Sequence, residues 1–325
     1  MKATATAPSN IAFIKYWGKK DEELRLPENG SISMNLSDMT TTTTVEFDQK
    51  YAEDEIIINN ERESNDQNRA IFHLDRVRKM AGIPQKAKVV THTNFPRGTG
   101  LSSSASGFAA LSLAASNAAS LHLSEKDLSI LARQGSGSAC RSIPDGFVEW
   151  VDGDTSESSY AYSLYPPDYW HIIDIVVVVS TGKKDVSTSE GQKLVNTSPF
   201  YGIRKSHMDN KITQCKHILR KKDFTQLGEL VESEALEMHA IMLTSSPSLI
   251  YWTPGTLEIM KLVKKWRTEG LECYFTINTG QDIHVLVQEK DVIILNEKLE
   301  KIEYIKQIIV NHSSVGARLI ETHLF

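Results

Sequence analysis

Apolar positions along the first half of the chain alternate between two periods. Residues 40–47 (TTTTTVEF) and 55–58 are rich in β-branched side chains and predict strands. Residues 68–80 place Ile71, Leu74 and Val77 three apart, the spacing of one helix face. Residues 88–93 form a short strand pattern leading into PRGTGLSSSASG (96–107), and FAALSLAASNAASL then has the period of a packed helix. Ser124, with Asp127 three residues on, marks the N-cap of another helix ending near Arg133. The loop QGSGSACRS follows, then a strand through Phe147, Val148 and Trp150. The apolar run at 172–179 reads as a buried strand.

Beyond it the pattern becomes helical over roughly 199–220, 223–243 and 254–268. A strand at 273–277, a turn at Asn278-Thr279-Gly280, a strand at 283–287, a helix at 291–302 and strands near Ile308 and Arg318 complete the chain. This order predicts an α+β lobe with a split antiparallel sheet. At 325 residues the chain is long for one core. Two lobes are therefore expected, residues 1–180 and 181–325, with a small-molecule cleft between them.

Composition narrows the partners. Hydrophobic content of 40% and charged content of 24% are those of an ordinary soluble protein. Net charge is 36 − 41 = −5 without a long basic run, which argues against nucleic acid and anionic membrane as partners. Basic residues that matter should then be concentrated in a pocket for an acidic ligand. Three widely spaced cysteines (Cys140, Cys215, Cys273) suit reduced thiols in a cytoplasm. No Cys/His spacing predicts a metal site, no apolar signal core opens the chain, and no apolar stretch is long enough to span a bilayer.

Four polar, glycine-rich segments carry candidate chemistry. In 96–107, Gly98 and Gly100 let backbone approach a ligand, and a helix start presents unpartnered N–H groups. That partial charge favours an anion by about 0.3–1 kcal/mol when exposed. The hydroxyls of Ser102, Ser103 and Ser104 add donors. A loop that only permits tight packing would have the same composition. In PSNIAFIKYWGK (8–19), Lys15 and Lys19 flank Tyr16 and offer point charges, or are solvated. In GSGSACRS (135–142), Arg141 supplies a planar fork for carboxylate or phosphate, and Cys140 reads as buried packing. The turn 276–282 contains what any tight turn uses.

Together these segments resemble the GHMP small-molecule kinase superfamily and, within it, the diphosphomevalonate decarboxylases. APSNIAFIKYWGKKDEELRLPENGSIS resembles that family's opening motif, PRGTGLSSSASG its phosphate loop, GSGSACRS with GFVEW its substrate loop, and ALEMHAIMLTSSPSLIYWTP its long C-terminal helix. The resemblance implies a two-lobed α+β GHMP fold, with a ribosomal S5-like N-terminal lobe and a split β-α-β C-terminal lobe. Such enzymes phosphorylate the 3-hydroxyl of a 5-phosphorylated mevalonate with ATP and Mg²⁺. They then expel that phosphate with CO₂ to leave an isopentenyl product. The resemblance further implies that Arg141 holds the carboxylate and Lys15 stabilises charge at the transferring or departing phosphate. Tyr16, Lys19, Ser136, Gly137, Ser138 and Thr188 are placed on the substrate. Arg97, Gly98, Gly100, Leu101, Ser102, Ser103 and Ser104 are placed in the phosphate loop. A homodimer is also implied.

Two positions depart from the family pattern. The family turn reads Asp-Ala-Gly-Pro-Asn and its Asp faces the 3-hydroxyl, whereas here it reads Asn278-Thr279-Gly280-Gln281-Asp282. Losing a general base costs about 10²–10⁴ in rate. Ser189 stands where the family has an Arg for the 5-diphosphate, beside Glu190. Both changes resemble the ATP-independent mevalonate 3,5-bisphosphate decarboxylases of Thermoplasma-type archaea, and the leading expectation is that reaction, with no cofactor. The alternative is an ATP- and Mg²⁺-dependent decarboxylase of diphospho- or phosphomevalonate in which Asp282 replaces the lost base. A plain kinase and a non-catalytic ligand sensor are the remaining readings. Lys15, Arg141, Asn278 and Asp282 are the candidate catalytic residues. Asp145, at another non-family position, is either a surface turn residue or an acid near the substrate.

Overall fold

Alternating Thr and Ala make Lys2–Ile14 (β1) a strand whose alanines turn inward. The computed structural model describes residues 1–62, 64–182 and 184–325. After β1, a two-stranded ribbon of Lys19–Asp21 (β2) and Leu26–Pro27 (β3) precedes the long strand Ser31–Asp48 (β4). Glu55–Ile58 (β5), Ser64–Ala81 (α1), Lys86–Thr93 (β6), Ser103–Ala118 (α2) and Glu125–Gly135 (α3) follow. Phe147–Trp150 (β7) and Ala161–Tyr165 (β8) complete the strands of the first half. The first sheet has the order β1-β4-β6-β5, extended by β7 on β4 and β8 on β7.

The remaining elements are Ile172–Val178 (β9), Thr188–Lys193 (α4), Tyr201–Lys221 (α5), Phe224–Leu243 (α6) and Pro254–Thr268 (α7). Then come Cys273–Thr276 (β10), Ile283–Gln288 (β11), Val292–Glu300 (α8), Gln307–Asn311 (β12) and Arg318–Ile320 (β13). The second sheet is antiparallel with order β10-β11-β9-β12. This is the expected two-lobed α+β architecture. The lobe boundary differs from the expected one after residue 180. β9 is a central strand of the second sheet, and β13 returns to pair with β1 in the first. An apolar run buried on both faces has no solvent side to mark which sheet it joins.

Two packing layers set the cleft. Ala5 and Ala7 of β1 meet Ala109, Ala110 and Ala114 of α2, and such small side chains let helix and sheet approach closely. The N-terminus of α2 is thereby held beside the open edge of the lobe. A second cluster joins Ile11 and Phe13 of β1 to Val176 and Val178 of β9, Ile218 of α5 and Leu227 of α6, so the lobes share one core. The other face of β9 packs on α7 and α8. Among the described residues no helix is long and apolar enough to cross a membrane.

The strand pattern of β1 and of the 31–39 half of β4 escaped the period-2 reading. Their inward positions hold Ser9, Asn10, Ser31, Ser33 and Asn35, all buried. These find partners far along the chain: Ser9 Oγ donates to the Leu101 carbonyl at 2.8 Å and Asn35 Nδ2 to the Pro144 carbonyl at 2.7 Å. The N-cap at Ser124 is as expected, with its side chain accepting from the Asp127 amide. α2 starts four residues before the end of the glycine–serine loop, at Ser103.

The lobes also touch backbone to backbone. Gly100, at φ +106°, faces Gly280, and a Cβ on either would fall far inside van der Waals contact with the other loop. The Gln281 amide donates to the Thr99 carbonyl at 3.3 Å. Behind this contact lies a buried charge network. Glu234 of α6 accepts from Arg204 at 3.1 Å and Lys211 at 2.6 Å of α5, and from the Lys15 backbone amide at 3.0 Å. It anchors the end of β1.

Two outcomes follow. Gly280→Ala should lower stability by about 1–3 kcal/mol through overpacking, read as a reduced thermal midpoint against an exposed control such as Gly202→Ala. Glu234→Ala should cost about 3–5 kcal/mol, because it removes the buried partner of Arg204 and leaves it only the half-buried Glu237. Urea unfolding measures that loss.

Candidate active site

The bulges in β1 between Pro8 and Asn10 and between Ala12 and Ile14 re-aim the strand's end toward the lobe interface. Lys15 and Tyr16 follow and line a cleft of about 1400 Å³. The same cleft is lined by Lys19, Arg97, Gly98, Gly100, Ser102, Ser103, Ser104, Ser136, Gly137, Ser138, Arg141, Thr188 and Asn278. Most residues singled out from sequence are thus brought to one cavity.

Arg141 is buried on the short 3₁₀ segment Gly137–Ser142. Its Nη1 donates to Ser31 Oγ at 2.6 Å and its Nη2 to Asn10 Oδ1 at 3.2 Å. Nε has no partner, and among the described residues no carboxylate pairs with this guanidinium. Burial lowers its pKa. A buried, uncompensated fork facing a cavity is suited to a carboxylate or phosphate.

Lys15 is equally buried. Its Nζ donates to the Ala12 carbonyl at 2.7 Å and to Asn278 Oδ1 at 3.1 Å. Asn278 in turn donates from Nδ2 to Ser102 Oγ at 3.1 Å, which ties the turn to the phosphate loop. Burial, outweighing the field of Glu234, brings the Lys15 pKa down to about 7. Next to it the Tyr16 hydroxyl is buried without a partner, its pKa pushed up by burial, and the ring packs edge-on against Trp150 at 4.7 Å. Gly137 admits this ring where a Cβ would strike it.

Ser102, in the left-handed conformation at φ 60°, precedes α2, and no side chain caps that helix. Its leading amides therefore face the cleft without a side-chain acceptor, the arrangement anticipated for an anion site. Lys19 lines the cleft but its Nζ is held by Glu22 at 2.6 Å. Thr188 Oγ1 shares a hydrogen bond with Thr279 Oγ1 at 2.7 Å.

Three expected residues do not belong to the cavity in the expected way. The Leu101 side chain is buried in the core shared by the lobes, since the residue between Gly100 and Ser102 turns inward. Asp282 lies outside the cleft: its Oδ1 accepts from the Val179 amide at 3.0 Å, and burial raises its pKa to about 6. The chain has already turned back into β11 at that point, so the carboxylate caps β9 and does not reach Asn278's position. Asp145 accepts from the Gly316 amide at 2.6 Å and pairs with Arg318, clipping β13 in place. It is the turn residue of the two readings.

Sequence reasoning missed Lys184, Gln192 and Asp185. Lys184 Nζ donates to Thr188 Oγ1 at 2.6 Å and to the Thr279 carbonyl at 2.7 Å, while its amide donates to the Gly98 carbonyl at 3.2 Å. It joins phosphate loop, α4 and turn, and burial lowers its pKa to about 8. The Lys-rich GKKD stretch between a strand and a Ser/Thr helix start was the available signal. Gln192 is buried in the cleft wall with Oε1 unpartnered. Glu190, beside Ser189, accepts from the Ser187 amide at 3.1 Å in the capping box of α4.

Among the described residues no group of three His, Cys, Asp or Glu side chains could hold a metal ion. A magnesium ion carried in on phosphate oxygens would find the Ser103 and Ser104 hydroxyls in the same cleft lining.

Comparison with known proteins accords with this arrangement. Residues 7–161 match the diphosphomevalonate decarboxylase-like N-terminal domain, and residues 174–318 match the mevalonate 5-diphosphate decarboxylase C-terminal domain. The diphosphomevalonate decarboxylase of Candida albicans is 35% identical over 305 residues, covering 88% of this chain and 84% of the relative. A solved complex of MDDEF with MVAPP, AMPPCP and magnesium superposes with a TM-score of 0.93 at 40% identity, covering 99% of both chains. The mevalonate diphosphate decarboxylase from Enterococcus faecalis, described for its mevalonate diphosphate mediated ATP binding, gives 0.91 at 38% identity and the same coverage. These relatives are fungal and bacterial, and they lend nothing to the expected archaeal, ATP-independent branch. With both domain matches spanning nearly the whole chain, this protein belongs to the diphosphomevalonate decarboxylase family.

Proposed function

We propose that this chain phosphorylates the 3-hydroxyl of a 5-phosphorylated mevalonate from ATP, then eliminates that phosphate with CO₂ to release an isopentenyl product. One observation carries the reading. The cleft of about 1400 Å³ exceeds what the acid substrate alone would need, a single small ligand usually occupying about 300–1,000 Å³. Its lining combines Arg141, Lys15 and Tyr16, suited to an acid, with apolar Ile56, Ile58, Phe108 and Leu111 and with Asn59 and Asn94, suited to a flat base. The phosphate loop also lines it. That MDDEF is found in complex with MVAPP, AMPPCP and magnesium together supports room for more than one ligand.

In this reading Arg141 holds the C1 carboxylate through its fork until CO₂ leaves. Bound magnesium would neutralise charge on the phosphates. The exposed amides at the start of α2 and the serine hydroxyls donate to phosphate oxygens, and Lys15 sits at the C3 oxygen. Phosphoryl transfer depends chiefly on positioning and electrostatics, so loss of the family's Asp slows the step without forbidding it. The 5-diphosphate is the first candidate substrate. The 5-monophosphate is the second, since Ser189 replaces a cation. A cytoplasmic setting and a homodimer belong to the same proposal, supported by three buried free thiols and by the family resemblance respectively.

A second reading, elimination from mevalonate 3,5-bisphosphate without nucleotide, is favoured by Asn278 and by Ser189 in place of the family's Arg. The decisive assay measures phosphate and CO₂ release from the 5-diphosphate, 5-monophosphate and 3,5-bisphosphate, each with and without ATP–Mg²⁺. Turnover of a 5-phosphorylated substrate only with ATP is the expected result. Nucleotide-free turnover of the bisphosphate would establish the second reading, and binding without any turnover would point to a sensor. Arg141→Gln should lower kcat/KM about 10²-fold, from loss of charge-assisted hydrogen bonds worth about 1.5–3 kcal/mol. Its thermal midpoint should hold or rise, because an uncompensated buried charge is removed.

A further inference from the structure

We infer that Lys15 is the proton acceptor for the 3-hydroxyl and returns that proton to the departing phosphate, so one amine serves both halves of the reaction. This rests on the nucleotide-dependent reading above and assigns a group that the family's own turn would assign to an aspartate.

The geometry leaves few other candidates. Lys15 Nζ lies 3.1 Å from the side-chain oxygen of Asn278, the position at which the family turn carries its Asp. An amide oxygen accepts a hydrogen bond from an amine or an ammonium alike, but contributes no countercharge. Among the described residues no carboxylate forms an ion pair with Nζ. Asp282 and Asp145 are engaged elsewhere, Glu190 caps α4, and Glu22 holds Lys19. Asp185 and Glu61 are the remaining acidic residues of the cleft lining.

The charges around Lys15 come from every side. Arg141 of the 3₁₀ segment and Arg204 of α5 disfavour the ammonium, while Glu234 of α6 and Asp174 of β9 favour it. Both acids have closer partners: Glu234 is clamped by Arg204 and Lys211, and Asp174 accepts from His284 at 2.8 Å. His239 of α6 contacts the Asn278 carbonyl through Nε2 at 2.9 Å, and burial keeps it neutral with a pKa near about 3. Burial is the largest influence, and it leaves Lys15 titrating near pH 7, where a useful fraction is neutral amine.

The steps balance. Neutral Nζ takes the 3-hydroxyl proton as that oxygen bonds to the terminal phosphorus of a nucleoside triphosphate and the bond to the leaving diphosphate breaks. Lys15 is now an ammonium beside the new phosphoester. The C1–C2 electron pair then becomes the C2=C3 bond as CO₂ leaves. The C3–O pair departs with the phosphate, which takes the proton from Lys15 and regenerates the amine.

The test uses the full chain, 5-diphosphomevalonate and ATP–Mg²⁺, following ADP formation from about pH 5.5 to about pH 9. The wild type should lose kcat/KM on the acid side with an apparent pKa near about 7. Asn278→Asp should move that limb to lower pH and raise the rate, because a carboxylate then takes the proton and holds Lys15 charged. Lys15→Arg keeps the cation and loses the base, so ADP formation should fall about 10²–10⁴-fold. Adding Asn278→Asp to Lys15→Arg should restore much of it. The inference is overturned if the acid limb is absent, if Lys15→Arg forms ADP at the wild-type rate, or if the limb vanishes in Asp185→Asn. A wild type that consumes no ATP with any substrate overturns the nucleotide-dependent reading itself, and this inference with it.

Discussion

The meeting of Gly100 with Gly280 is the constraint on which the site depends. Neither loop can carry a Cβ there, so two turns from different lobes close to backbone contact. That contact seats Asn278 between Ser102 of the phosphate loop and Lys15 at the end of β1. Nothing in local propensity would bring these three side chains together. They meet because β10 pairs with β11 and β11 with β9, and β9 shares a core with β1.

Around this junction the protein keeps two cations out of water without giving either a carboxylate. Burying charge is expensive unless it is paired. The chain tolerates the cost at Arg141 with neutral acceptors from Ser31 and Asn10, and at Lys15 by letting the amine lose its proton more easily. By contrast, Arg204, whose Nη2 donates to the Lys15 carbonyl, forms ion pairs with Glu234 and Glu237. At these three residues the charge pair anchors the scaffold, whereas Arg141 and Lys15 face the cavity without a carboxylate.

Replacement of a turn aspartate by Asn278 then has consequences beyond a missing acid. It changes the protonation of its neighbour, because a lysine beside a carboxylate is held charged and a lysine beside an amide is not. Substituting one residue therefore moves proton-accepting capacity across a single hydrogen bond. The retained phosphate loop, the capped α4 and Lys184 between them remain consistent with a nucleotide in the outer cleft.

Much of this was legible in the chain itself. The helix starts, the buried apolar run of β9 and the four glycine- and serine-rich segments are local signals, set by propensity and by which residues tolerate unusual backbone or donate to anions. They sufficed to mark Arg141, Lys15, Tyr16 and the serines of the loop as candidates, and these line one cleft. Tertiary structure alone decided the rest. It put Asp282 against the Val179 amide and Leu101 in the core, because a side chain's direction after a turn depends on the sheet it rejoins. It brought in Lys184 from a loop distant in sequence, and it assigned β9 to the second sheet. Those outcomes depend on long-range pairing and on shared desolvation, and neither is a property of any short stretch of residues.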